Sequence, residues 1–187
     1  MSTRFELMEQ CARAGAARDE ASFKDLLRLA KHDDWQVRFA AVVALGDRAD
    51  KRSLDTLLAV LRVEDQAPLF TQDKDYGGAP AGCPSAPEPG PPAGTSAATR
   101  AAWERRGRIK QAACLALGCI GQPEPRVLEC LHRYATDQGQ DYAVRAASCK
   151  ALGLIHSPLS RPIVEQATAD LEWCTKTEAQ KAVQRIG

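Results

Sequence analysis

The sequence predicts an all-α fold, an α-α superhelix or solenoid of stacked helical pairs, and three observations predict it. An alanine-rich amphipathic segment occurs three times. Each copy is followed by a second segment with apolar residues at helical spacing. The last two copies are offset by 35 residues, from Gly118 to Gly153, which lies in the range of two-helix solenoid repeats.

The three copies are Asp34 to Ala49, Gly107 to Gly121 and Asp141 to Ile155. Superposed, they align Val37, Ile109 and Val144, then Arg38, Lys110 and Arg145, then Ala44, Ala116 and Ala151. Leu45, Leu117 and Leu152 follow, with Gly46, Gly118 and Gly153. Small and apolar residues fall at i, i+3, i+4, i+7 and i+8, as in Val37, Ala40, Ala41, Ala44 and Leu45, which is one stripe on a helix of 3.6 residues per turn. Asp34 and Asp141 stand where an N-cap carboxylate accepts free backbone N–H groups, and the shared glycine is expected as the left-handed residue that ends the helix. Alanines alone bury too little apolar area to stabilise a lone pair of helices, so the units must stack.

The partner helices are heavier. Leu54, Leu57, Leu58 and Leu61 repeat at i, i+3, i+4 and i+7, and Val127, Cys130, Leu131 and Tyr134 repeat that spacing after the second copy. After the third, Ile163, Ala167, Leu171 and Cys174 form a poorer stripe, with Pro162 suited to a first helical turn. The run Asp141, Val144, Arg145, Ala147, Leu152 and Gly153 resembles the HEAT-like repeat of the phycobilisome-lyase type; in the second copy Arg106 and Lys110 replace its aspartate and arginine. That resemblance implies a solenoid and, as one function, an accessory or chaperone-like subunit of a bilin lyase type enzyme.

In chain order, residues 1–32 read as an N-terminal cap, 33–63 as a repeat, and 64–98 as a Pro/Gly-rich insertion holding seven of the eleven prolines. Such composition cannot bury enough apolar surface to offset its ordering entropy, so Tyr76 to Thr95 is expected to be disordered, with Cys83 exposed. Residues 99–137 and 138–170 are the next repeats, and 171–187 is a C-terminal cap or a partial repeat. Helical character resumes near Thr99 in a basic stretch of Arg100, Arg105, Arg106, Arg108 and Lys110 around Trp103.

The formal net charge is +1 with no basic stripe, which disfavours a nucleic-acid partner. The longest apolar run, Phe39 to Leu45, is far short of a membrane span, and MSTRFELMEQ lacks the pattern of a secretion signal. A cytoplasmic protein is expected. The cysteines other than Cys83 are expected to be reduced packing residues, Cys114 and Cys149 sharing the place of Val42, with Cys11, Cys130 and Cys174 in helical patterns.

No catalytic, cofactor or metal residues emerge. His32, His132 and His156 are scattered, and no His-Glu dipeptide occurs, which disfavours the iron-dependent hydroxylases built on similar repeats. The Asp34/Arg38 and Asp141/Arg145 pairs read as i,i+4 partners or as a ladder between repeats. The expected function is a non-enzymatic scaffold binding a protein or peptide. Its contact residues would be Arg52, Asp55, Thr56, Glu129, Arg133 and Glu165 on a concave surface lined by the second helices, with Trp103 and Arg105 as anchors toward an acidic partner.

Overall fold

A computed structural model describes residues 3–66 and 107–187. Among the described residues there are nine α-helices and no strand: α1 (Arg4–Ala16), α2 (Glu20–Leu29), α3 (Trp35–Arg48), α4 (Leu54–Asp65), α5 (Arg108–Ile120), α6 (Pro125–Thr136), α7 (Tyr142–Ile155), α8 (Arg161–Ala167) and α9 (Trp173–Ile186). The Pro/Gly-rich stretch, Cys83, and Trp103 with Arg105 lie outside the described residues.

Helix starts follow the expected chemistry. Asp34 accepts from Gln36 N–H and Asp141 from Ala143 N–H, while Thr3 and Glu6 form a reciprocal capping box on α1. Helix ends do not. Gly46, Gly118 and Gly153 lie inside their helices, and the left-handed residue comes three positions later in every copy, at Ala49 (φ 52°), Gly121 (φ 69°) and His156 (φ 56°). The shared glycine therefore serves packing, not termination.

That packing defines one layer. Helices α1, α3, α5, α7 and α9 lie side by side, each against the next. A Cβ added to Gly15 would stand 3.0 Å from Ala44 Cβ, and one on Gly46 3.0 Å from Ala116 Cβ. One on Gly118 would stand 2.7 Å from Ala151 Cα, and one on Gly153 2.9 Å from Ala182 Cα. Each glycine thus receives the alanine of the following helix backbone to backbone. Helix α1, read from sequence as a cap without the alanine stripe, joins this ladder through Gly15. At the two ends the small residues give way: Arg13 holds the alanine register in α1 and Gln184 the glycine register in α9, both exposed.

Helices α2, α4, α6 and α8 form the second layer and supply bulk, with Phe23, Leu26, Leu57, Leu61, Leu131 and Tyr134 all buried. Helix α4 packs chiefly on α5, α6 on α7 and α8 on α9, each on the alanine-rich helix that follows it, while α2 packs equally on α1 and α3. The spatial unit is therefore a leucine-rich helix followed by an alanine-rich one, the reverse of the order the sequence suggested. The long insertion accordingly falls inside the pair α4–α5, and α9 completes the pair begun by α8. Helix α4 runs on through Glu64 and Asp65, which the sequence reading had assigned to the insertion. Helix α8 stops after seven residues, so Leu171 is an exposed loop residue and Cys174 belongs to α9, not to one stripe with Ile163.

Glycine–alanine contacts draw the first layer closer than the leucine-rich helices approach one another, and a two-layer stack bends toward the layer with the shorter repeat. The concave side is thus the alanine-rich face and not, as expected from sequence, the face of the second helices.

Candidate interaction surfaces

The described residues predicted to meet a partner, Arg52, Asp55, Thr56, Glu129, Arg133 and Glu165, lie on the leucine-rich layer, and most of their charges are already used within the chain. Arg52 pairs with Glu20 at 2.8 Å and with Asp50 at 2.6 Å, and its guanidinium lies 4.4 Å from the Phe23 ring centroid. That pairing holds the Asp50 carboxyl down to about 2. Asp55 pairs with Arg126 of α6, and Thr56 sits beside it in the first turn of α4. Arg133 binds Asp65 at 2.7 Å and stacks 4.6 Å from the Tyr134 ring centroid. Glu165 pairs with Arg161 at 2.8 Å. Glu129 is exposed and makes no ion pair among the described residues. Asp55–Arg126 and Asp65–Arg133 thus fasten α4 to α6 at both ends. Among the described residues, the six are spread along α4, α6, α8 and the turn before α4.

Asp65 is the centre of a denser cluster that sequence reading missed. It accepts from Lys110 Nζ at 2.8 Å, Arg133 Nη2 at 2.7 Å and the Tyr134 hydroxyl at 2.8 Å. Burial would raise its carboxyl, but these donors outweigh burial and hold it below the usual carboxylate range. Lys110 also donates to Gln140 Oε1 at 3.1 Å. The cations of this shared register, Arg38, Lys110 and Arg145, each anchor their helix to a carboxylate at the C-terminal end of a leucine-rich helix or, for Arg145, in the loop just after one. Arg38 meets Glu64 at 3.1 Å, and Arg145 meets Asp170 through two bonds of 2.8 and 3.1 Å. Asp34 meanwhile pairs with Arg4 of α1 at 2.5 Å.

The concave, alanine-rich face carries two hollows. The first lies between α1 and α3, has a volume of about 470 Å³, and is lined by Met8, Ala12, Ala16, Phe39, Ala40 and Val43, with Arg18 and Asp47 at one end. The second, about 440 Å³, runs along α7 between α5 and α9, where Ala143, Ala146 and Ala147 leave a floor lower than the walls of Arg108, Gln111, Leu115, Cys174 and Glu178. Asp141 and Tyr142 close one end and Lys150 marks the other. The signal for both was present in the sequence as small residues on the face opposite the leucines.

The remaining reactive groups have structural neighbours. Cys11, Cys114 and Cys149 occupy one register, fully buried, and burial pushes the Cys11 thiol up to about 11 and those of Cys114 and Cys149 to about 12. Cys174 departs from the packing expectation, being exposed, as is Cys119. His132 Nε2 contacts Ser160 Oγ at 2.9 Å and burial lowers its pKa; His32 Nδ1 accepts from Asp34 N–H at 3.0 Å; His156 Nδ1 contacts the Arg185 carbonyl at 2.9 Å. Among the described residues no three His, Cys, Asp or Glu side chains group as metal ligands, and no helix is long and apolar enough to cross a membrane.

The profile of the family described as HEAT repeats matches residues 5–69 and 98–184. No curated protein sequence matches the chain. Among solved structures that match, human deoxyhypusine hydroxylase in complex with glycerol is 19% identical, with 99% of this chain and 80% of that one covered and a TM-score of 0.34.

Proposed function

Since this chain belongs to the HEAT-repeat family, we propose that it is a non-enzymatic interaction scaffold that holds a protein or peptide partner on its alanine-rich face. One observation carries the reading: the hollow between α1 and α3 presents Met8, Phe39 and Val43 together on the concave side, with Val43 40% exposed, and no described element covers it. Large apolar side chains left in a shared concavity mark binding surfaces more often than isolated exposed ones do. The leucine-rich face supports the reading less, because its arginines and carboxylates already satisfy one another.

Val43→Asp places a charge in the hollow at a solvent-exposed position, so the fold is expected to survive. In affinity purification from the native source, partners captured by the unaltered chain should be lost with Val43→Asp. They should persist with charge reversal at Arg52, Glu129 and Arg133. The opposite pattern would move the binding surface back to the leucine-rich face. A finer reading, an accessory subunit of the phycobilisome-lyase type, rests on the run from Asp141 to Gly153. It requires bilin absorbance to appear when the protein is mixed with chromophore, and fails without it.

A further inference from the structure

We propose that the edge built from the starts of the alanine-rich helices docks a proline-rich segment in the polyproline II conformation. The inference goes beyond the scaffold reading, which rests on the hollow between α1 and α3, by naming a second surface and the chemistry of its occupant.

Aromatic residues make up only 5% of the chain, yet four of the five alanine-rich helices open on one. Trp35, Tyr142 and Trp173 are the first residues of α3, α7 and α9, and Phe5 is the second of α1. Each of the first three follows an acidic N-cap residue, Asp34, Asp141 or Glu172. A helix start needs the cap and not the ring, since aromatic side chains are only moderate helix formers. Phe5 and Trp173 are 79% and 65% exposed, and Trp35 and Tyr142 are half-buried.

Contacts between the helix starts set these positions side by side. Arg4 pairs with Asp34 at 2.5 Å, joining α1 to α3, and Gly46 against Ala116 carries the register to α5. A Cβ on Gly107 would stand 3.5 Å from Asp141 Cβ, and Thr175 Oγ1 donates to the Tyr142 carbonyl at 3.2 Å, joining α5 to α7 and α7 to α9. The aromatic positions therefore recur along one edge at the spacing of packed helices, about 8–10 Å. One place in the row is skipped, at α5, which starts on Arg108 after Gly107.

That spacing selects the conformation of the occupant. Polyproline II rises about 3.1 Å per residue with three residues per turn, so every third side chain returns to one face about 9 Å along. A strand repeats a face about every 6.7 Å, out of step with one ring per helix. Hydrogen bonding selects it too. The indole N–H groups of Trp35 and Trp173 meet no acceptor among the described residues and are not buried. Polyproline II has no internal hydrogen bonds, so its carbonyls are free to accept from them, whereas an α-helix spends its carbonyls on itself. Charges along the edge nearly offset one another: Asp34 is paired with Arg4, and Asp141 and Glu172 are matched in number by Arg108 and Lys176. The edge thus favours neither an acidic nor a basic segment, and recognition falls to ring faces and indole donors, the chemistry of aromatic-lined polyproline grooves.

The test uses the full chain and two fluorescein-labelled peptides, five repeats of Pro-Pro-Ala and five of Gly-Ser-Ala. The proline peptide spans about 46 Å in polyproline II, enough to cross all five helix starts. Fluorescence anisotropy should show it binding at least tenfold more tightly than the other, with little change as salt rises from 25 to 200 mM. Tyr142→Ala and Trp173→Ala should each weaken binding at least fivefold. Trp35 also packs on the core, so Trp35→Phe is the variant there; it keeps a ring, removes the donor and should weaken binding about threefold. Circular dichroism checks that each variant is folded. Equal affinity for the two peptides, no binding to either, or binding unaltered by Tyr142→Ala and Trp173→Ala would overturn the proposal. Binding that appears only once residues 77–95 are deleted would hand the edge to the chain's own proline-rich stretch and overturn a separate partner. Val43→Asp should leave peptide binding unchanged, so failure of the hollow between α1 and α3 and failure of this edge can be told apart.

Discussion

The two layers of this solenoid accomplish the same stacking by opposite means. In the alanine-rich layer the helices meet backbone to backbone, with Gly46 against Ala116, Gly118 against Ala151 and Gly153 against Ala182, and stability comes from close approach. In the leucine-rich layer the helices stand farther apart, and stability comes from the volume of Leu57, Leu61, Leu131 and Tyr134 driven down onto the other layer. The difference explains where the hollows lie. Removing side chains to bring backbones together also leaves hollows on the concave side, whereas the outer face is closed by long side chains paired with one another.

The comparison is broken most severely by removing bulk from the second layer. Leu131→Ala should cost about 2–5 kcal/mol in chemical denaturation, since the site is fully buried and its neighbours are fixed on two helices. Next comes the join between the layers. Arg145 and Asp170 are nearly inaccessible, with 6% and 1% of their side chains exposed. Asp170→Asn should therefore cost about 3 kcal/mol by leaving a buried guanidinium without its counter-charge. Burial would raise the Asp170 carboxyl, but Arg145, the Glu172 N–H and Gln138 outweigh it and hold its pKa low. A depressed carboxylate stabilises the fold above its unfolded pKa of about 3.9 and loses that contribution as pH falls through it toward the lower folded value. The melting temperature should thus fall on acidification below about pH 4, and less steeply in Asp170→Asn.

A smaller effect sharpens the contrast. Gly118→Ala improves helix propensity by about 1 kcal/mol, yet its Cβ would lie 2.7 Å from the Ala151 backbone. A net loss of about 1–3 kcal/mol is expected in thermal denaturation. Smallest, and opposite in sign, is Ala49→Gly. Ala49 ends α3 at φ 52°, where glycine avoids the left-handed penalty, so a gain of about 1 kcal/mol should raise the melting temperature. A gain from Gly118→Ala together with a loss from Ala49→Gly would restore the terminating role first assigned to the shared glycines.

The repeat was legible because its signals are local. Stripe spacing, the Asp34 and Asp141 caps and the leucine spacing of α4 each depend on residues within about two turns of one another. Misreadings occurred where two elements had to be placed together. Glycine carries one letter for two physical uses, a positive φ and the lack of a Cβ, and only the approach of Ala116, Ala151 and Ala182 distinguishes them. The same ambiguity hid the contribution of α1, whose single Gly15 looks unremarkable without Ala44 beside it. The Asp65 cluster was illegible for a similar reason, since Lys110, Arg133 and Tyr134 are brought to it from 45 or more residues away.

By itself the sequence determined that the chain is helical, that its units repeat and that they must stack, because periodicity and capping are written in neighbouring residues. Tertiary structure alone decided which helices pair, which layer is concave and which charges are spent. Those outcomes depend on distances between residues far apart in the chain, and no one-dimensional pattern encodes a distance.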